Sequence, residues 1–372
     1  MIYLDYSATT PVNKKVLDEY YQFNIEHFAN PNSSHQLGLL VKEKIEETTK
    51  KIQYILNADA YEVIYTSGAT ESNNLAIVGY ALSNQHIGKH IITSPYEHSS
   101  VTTCMNYLAK LGFEIDVLGI KEDGLLDLEE LDELIRKDTI LVSIAYVNSE
   151  LGIKQDLERI KTIVKKYSGL KLHSDLTQAI GKLKVDLKDI DLVSFSGHKI
   201  YGLKGIGALL RKKHIKLTPV IHGGKSTSIF RGGTPPAPLI YSLGIALELA
   251  YQDFDNKLLR ITNLKEYLLK SLKENIKIAH PNYINSIPQI NNVSFPNIEA
   301  HIIKKALSEK DIYISTQTAC NSESSFSITV KKITDSEALA ESSIRISLSH
   351  LTKEIEIDTF ILELKEIINE NS

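Results

Sequence analysis

Short runs of β-branched and other apolar residues recur along this chain, and longer amphipathic stretches separate them. That alternation constrains the fold more than any other feature. Strands that are apolar almost throughout must be covered on both faces. A strand–helix–strand succession also returns each strand roughly parallel to the one before it. The strand candidates are Glu62–Ser67, His90–Tyr96, Glu114–Ile120, Thr139–Val147, Lys171–Asp175, Leu192–Gly197 and Ile206–Arg211. Between them, NNLAIVGYALSN, SSVTTCMNYLAKLG, DLEELDELIRK and DLERIKTIVKKY carry apolar residues at three- and four-residue spacing, as helices with one buried face do. The pattern predicts an α/β fold with a mostly parallel, doubly wound sheet as far as Leu210. Past the Gly- and Pro-rich stretch His222–Pro238, a long helical tract from Leu239 to about Leu272 leads into shorter, mixed elements. The expected division is a large α/β domain over residues 14–255 and a smaller α+β domain made of 1–13 and 256–372. The smaller domain would carry a polar loop at about 315–329.

Composition removes several function classes. With 42 basic residues against 46 acidic ones, the net charge of −4 gives no general grip on nucleic acid. No apolar run approaches the ~20 residues that cross a bilayer. The start, MIYLDYSATTPVNKKV, lacks the basic and apolar regions of a signal peptide. The two cysteines, Cys104 and Cys320, cannot build a disulfide framework, so a cytoplasmic location is expected.

Six constellations have chemical potential. In TSGATESNN (Thr66–Asn74), small residues lie between a strand and a helix. Either the first helical amides hold a phosphate, or the segment is an ordinary capped turn. In SFSGHKIYGLKGIGALL (Ser194–Leu210), Lys199 sits at the carboxyl end of an apolar strand. It either reaches solvent or is desolvated enough to act as a nucleophilic amine. Asp175 closes another strand in HSDLTQAIG, with Gln178 three residues on; it can hold a cationic ring nitrogen or cap the next turn. His98 in EHSSV can stack on a flat ligand and move protons, or be a satisfied structural histidine. Cys320 lies in STQTACNSESSFS, which has no apolar periodicity and reads as an exposed loop with a reactive thiol. Cys104, on an amphipathic helix, reads as packing. Arg345, within SSIRISLS, can take a carboxylate through two parallel hydrogen bonds or make a surface ion pair.

Metal chemistry finds no support. The twelve histidines form neither HExxH nor a paired Cys/His ligand spacing, and His35 and His222 are isolated. GLKGIG precedes a strand rather than a helix, so it does not open a dinucleotide-binding unit.

The order of these segments carries more than each alone. LDYSATTP (Leu4–Pro11), NPNSSH (Asn30–His35), TSGATESNN, Glu97–His98, VNSELG (Val147–Gly152), Asp175 with Gln178, and SGHKIYGxKGIGAL follow in turn. The series resembles the class V, fold-type-I pyridoxal-phosphate enzymes. With RGGT (Arg231–Thr234), TAC (Thr318–Cys320) and the Arg345 segment, it looks like the cysteine desulfurases of the NifS/IscS type, over residues 3 to about 358.

The resemblance implies roles residue by residue. Lys199 would carry pyridoxal 5′-phosphate and later move the substrate α-proton. Asp175 would pair with the ring nitrogen, Gln178 with the ring's phenolic oxygen, and His98 would stack on the ring. Ala69, Thr70, Ser196 and His198 would hold the phosphate. Thr234 would reach the phosphate of a partner subunit, which implies a homodimer. Asn32 and Arg345 would orient L-cysteine. Ser149 stands where the family's second asparagine supports the ring oxygen, and it is counted with the cofactor positions. The implied products are L-alanine and a persulfide on Cys320, passed to an acceptor that serves iron–sulfur cluster assembly or tRNA thiolation. The competing readings are a selenocysteine lyase or small-amino-acid aminotransferase of the same family, and a scaffold that kept the fold without catalysis.

Overall fold

The computed structural model describes residues 1–224, 227–316 and 326–371. Cys320, and the Thr318–Cys320 segment with it, lies outside the described residues.

Twelve strands are described: β1 (Ile2–Tyr3), β2 (Tyr61–Thr66), β3 (His90–Thr93), β4 (Glu114–Val117), β5 (Thr139–Ser143), β6 (Lys171–Asp175), β7 (Leu192–Ser196), β8 (Gly207–Lys212), β9 (His280–Pro281), β10 (Ile290–Ser294), β11 (Ile312–Tyr313) and β12 (Ser343–Ser347). Seven form one sheet in the order β2-β8-β7-β6-β5-β3-β4. Within it β3, β4, β5, β6 and β7 pair in parallel, while β8 runs antiparallel to both neighbours. This is the mostly parallel α/β sheet expected from the sequence.

Alternate side chains along each strand leave for opposite faces, and both faces are buried. Val63, Tyr65, Leu172, Val193, Phe195 and Leu210 join one apolar core. Ile64, Ile91, Leu141, Leu192 and Leu209 join another on the far side. Each such side chain contributes about 1.5–3 kcal/mol when fully buried, so the sheet is anchored from both sides and its strand ends are fixed points for a site.

A three-stranded antiparallel sheet, β12-β10-β9, packs against its own core. Ile261, Leu264, Leu268 and Leu272 supply one apolar helix stripe to it, with Phe295, Ile344, Ile346, Phe360 and Leu364. The N-terminal segment joins this region: β1 pairs in parallel with β11, Asp5 bridges Ser347, and Ser347 N donates to Leu4 O at 2.7 Å.

The helical tract from Leu239 to about Leu272 is two helices, Ala237–Tyr251 and Phe254–Asn275. Gln252 is extended and Asp253 is left-handed (φ 53°), which ends one helix and starts the next in a new direction. The apolar period runs through this break, and aspartate tolerates the left-handed well better than most residues. Cys104 is buried as expected, its thiol donating to Ser100 O at 3.0 Å.

Candidate active site

The carboxyl ends of β6 and β7 and the turn after β2 face a cavity of about 550 Å³, within the range of small-molecule sites. Gly207 sets the depth at one wall. A Cβ there would stand 2.7 Å from Gly68 Cα, so only glycine lets β8 approach the β2 turn so closely.

Residues from six of the sequence segments line this one space: Ala69, Thr70, His98, Ser149, Asp175, Gln178, Ser196, His198, Lys199 and Arg345. Two expected residues are elsewhere. Thr234 is exposed and does not line the cavity, and Asn32 is exposed in a separate groove beside Lys42 and Glu46.

The turn after β2 leads straight into the helix Ala69–Asn74, whose first intrahelical bond is Ser72 N to Gly68 O at 3.1 Å. The amides of Ala69 and Thr70 precede that bond and belong to the unpaired first turn. Ser196 ends β7 on the opposite side, and its Oγ lies 3.6 Å from the position a Cβ would take at Gly68. Arg231 of the RGGT segment is tied to this turn through Glu71 at 2.9 Å.

Asp175 is almost fully buried at the end of β6. Its Oδ2 accepts from Asn73 Nδ2 at 2.8 Å and its Oδ1 from Thr177 N at 2.9 Å. The bonds fix the carboxylate's direction. His98 caps the helix Ser99–Lys110, its Nδ1 accepting from Ser100 N at 3.1 Å and lying 2.8 Å from Ser100 Oγ. Burial lowers its pKa and Lys199 adds to this, against the pull of Asp175, so the imidazole is held neutral. Burial also pushes His198 down to about 4, with Lys199, Lys182 and Lys204 adding to the effect.

Lys199 Nζ donates to Ser7 O at 2.5 Å and to Ala8 O at 2.7 Å. Gln178 Nε2 donates to the same Ser7 O at 3.0 Å, and Gln178 Oε1 accepts from Lys182 Nζ at 2.5 Å. Thr10 N and Oγ1 both donate to His198 O, at 3.0 and 2.9 Å, and Thr9 Oγ1 lies 3.1 Å from His198 Nδ1. Residues 5–10 therefore form a wall of the cavity. Arg345 is 2% exposed, with Nη2 donating to Asp5 Oδ1 at 2.7 Å and Nη1 to Ser149 O at 2.9 Å. Its Nε is buried with no hydrogen-bond partner among the described residues.

Sequence reasoning missed Asp5, Ser7, Thr9, Asn73 and Thr177. Asn73 and the N-terminal residues were inside quoted motifs, where the density of hydroxyl and amide side chains was the available signal. Much of the wall acts through backbone carbonyls, which side-chain identity does not encode.

The set fits pyridoxal phosphate. An acid at Asp175 suits a cationic ring nitrogen, unpaired helix amides and hydroxyls suit a phosphate, and Lys199 supplies the amine. Ala145 and Val147 line the cavity and would give a flat ring apolar contact. Ser7 Oγ and Thr177 Oγ1 line the cavity as buried atoms without partners among the described residues, an arrangement that costs about 1–3 kcal/mol per group until a ligand satisfies it. Among the described residues no cluster of His, Cys, Asp and Glu could hold a metal ion.

Comparison with known proteins agrees. Residues 2–360 match the aminotransferase class-V family. The chain is 41% identical to "Cysteine desulfurase IscS" of Serratia proteamaculans, over 99% of this chain and 92% of that protein. A solved "NifS-like protein" superposes with a TM-score of 0.93 at 33% identity, covering 99% of both chains. The solved structure "SspA in complex with cysteine" superposes with a TM-score of 0.81 at 35% identity, covering 95% of this chain and all of that one. On sequence and fold alike, this chain belongs to the aminotransferase class-V family.

Proposed function

We propose that this pyridoxal-phosphate enzyme is a cysteine desulfurase, taking sulfur from L-cysteine and releasing L-alanine. The observation that carries the reading is Arg345: a buried guanidinium facing the same cavity as the Lys199 amine, its Nε unpaired, ready for the carboxylate of a small amino acid. The bound cofactor supplies the electron sink that lets an amino acid lose its Cα proton.

The residues divide the remaining work. Arg345 fixes the substrate carboxylate, and Asp5 and Ser149 O hold its planar fork in place. Lys199 Nζ takes the Cα proton and can return one. Asp175, held by Asn73 and Thr177, would pair with the ring nitrogen and keep it protonated. His98, held neutral, would stack on the ring and assist proton movement. The Cys320 thiolate would attack the substrate sulfur, an S–S bond forming as the bond between that sulfur and Cβ breaks, and the electron pair left at Cβ would take up a proton as alanine leaves. The sulfur stays on Cys320 as a persulfide for an acceptor protein of iron–sulfur cluster assembly or tRNA thiolation.

Three coarser features support finer readings. A core of Leu4 and residues between Ile261 and Ile368 supports the division into domains 14–255 and 1–13 with 256–372, while Ile287, Ile290, Val330 and Ala340 join the core of the large sheet. Thr234, outside its own cavity, suits a residue that serves a partner's site in a homodimer. No described helix is long and apolar enough to cross a membrane, which is compatible with work in the cytoplasm.

The test is mass spectrometry of the holoenzyme after L-cysteine. One added sulfur on Cys320 and an equal yield of L-alanine are expected. Alanine release undiminished in Cys320→Ser would overturn the sulfur-transfer step.

A further inference from the structure

A second cavity, of about 430 Å³, lies behind the cofactor site and meets it at Ser7 and Lys199. Its walls come from the N-terminal segment, the two helices that flank the break at Asp253, and residues 348–351. Aliphatic side chains such as Ile200, Leu249, Leu258 and Ile261 make up much of the lining. Nothing in the proposed reaction uses this space.

Its polar content is one-sided. Among the described residues no Asp or Glu lines it, whereas Lys14, Lys182, Lys199 and Lys257 do. Two of these face neutral acceptors: Lys182 Nζ donates to Gln178 Oε1 at 2.5 Å and Lys257 Nζ to Leu249 O at 2.6 Å. The charges that bear on Lys182 are the cations Lys199 and Arg345. Asp253 is the acid that bears on Lys257, and it lies outside the lining. Burial comes first in lowering the pKa of both lysines, so it opposes the charged form of each, which a bound anion would favour. Two further polar atoms in the lining are unsatisfied: Ser7 Oγ and Gln289 Oε1 are buried, on residues 2% and 6% exposed, with no partner among the described residues. A cavity with apolar walls, two lysines paired only to neutral acceptors and no acid in its lining is complementary to a small anion with an aliphatic body.

We propose that this second cavity binds a short aliphatic carboxylate, its carboxylate between Lys182 and Lys257 and its carbon chain against Leu249, Leu258 and Ile261. Occupancy draws on Lys182, the lysine that also anchors Gln178 in the cofactor cavity. The test does not depend on the reaction assigned above, since binding is read without turnover.

The experiment is calorimetric titration of the holoenzyme with butyrate. Saturable binding is expected in the wild type and in Arg345→Lys, which alters the substrate's carboxylate site. Lys257→Met should weaken binding about 10-fold or more, the loss of one charge-assisted contact, and Lys257→Arg should restore most of it. Leu258→Glu, which places a carboxylate in the half-buried lining, should abolish it and serves if Lys257→Met does not fold. Binding lost in Arg345→Lys but kept in Lys257→Met would place butyrate in the substrate site and overturn the proposal. An absence of saturable binding to the wild type at tens of millimolar would overturn it as well.

Discussion

Asn73 Nδ2 donates to Asp175 Oδ2 at 2.8 Å and to Ser100 Oγ at 2.9 Å. Ser100 Oγ in turn lies 2.8 Å from His98 Nδ1. One amide therefore ties the acid at the end of β6 to the histidine that begins the helix Ser99–Lys110. Asn73→Ala should lower alanine release about 10-fold, because two buried groups lose a partner at about 1–3 kcal/mol each. The cofactor's visible band should shift in its pH titration, and a spectrum recorded across pH checks that the cause is electrostatic rather than loss of fold.

Asp175→Asn tests the charge itself. The asparagine retains the shape, but it has one oxygen to offer both the Asn73 and Thr177 donors. We expect cofactor to bind and alanine release to fall by a factor of at least ~100, as with other groups that stabilise developing charge. Single-turnover rates with L-cysteine decide it.

Arg345→Lys should raise KM for L-cysteine about 10- to 100-fold, since an ammonium cannot copy the bidentate fork. The effect on kcat should be smaller. Asp5 loses its 2.7 Å partner in the same change, so a thermal melt should fall modestly alongside the kinetics.

Glu97 gives a pH signature. Burial raises its carboxyl to about 8 from an ordinary 4.5, while Ser94 Oγ at 2.5 Å and Ala145 N at 2.7 Å hold Oε1. The folded chain keeps a proton that the unfolded chain releases, so stability falls as pH rises from about 4.5 to about 8, by up to ~1.4 kcal/mol per pH unit. Glu97→Gln removes that slope. Urea midpoints should diverge in favour of the variant between about pH 5 and pH 8. Parallel curves would refute a neutral Glu97.

How far the sequence spoke for itself varied with the kind of information needed. The strand Lys171–Asp175 was legible to the residue, because an unbroken run of buried positions ends in an acid with a turn behind it. Lys199 and His98 were legible as chemically unusual side chains at a strand or helix end, and Arg345 as a charged side chain in the middle of an otherwise small and apolar strand. The break at Asp253 was not, since an apolar period can pass through a change of direction. Residues 5–10 were legible as a motif only. Ser7 and Ala8 act through carbonyl oxygens whose direction depends on Ser347 and on Ile312–Tyr313, more than 300 positions away. Asn32 and Thr234, assigned by resemblance, stand apart from the cavity that gathers the others.

The pairing of β1 with β11, and of Leu4 with Ser347, sets a timetable for biosynthesis. The segment that closes the wall beside Lys199 is made some 300 residues before the strands it docks against. Throughout translation the large sheet can form with its chemical centre still open to solvent. Premature termination near residue 310 would leave a soluble-looking body with a lysine, an acid and a histidine in place and no wall to complete them.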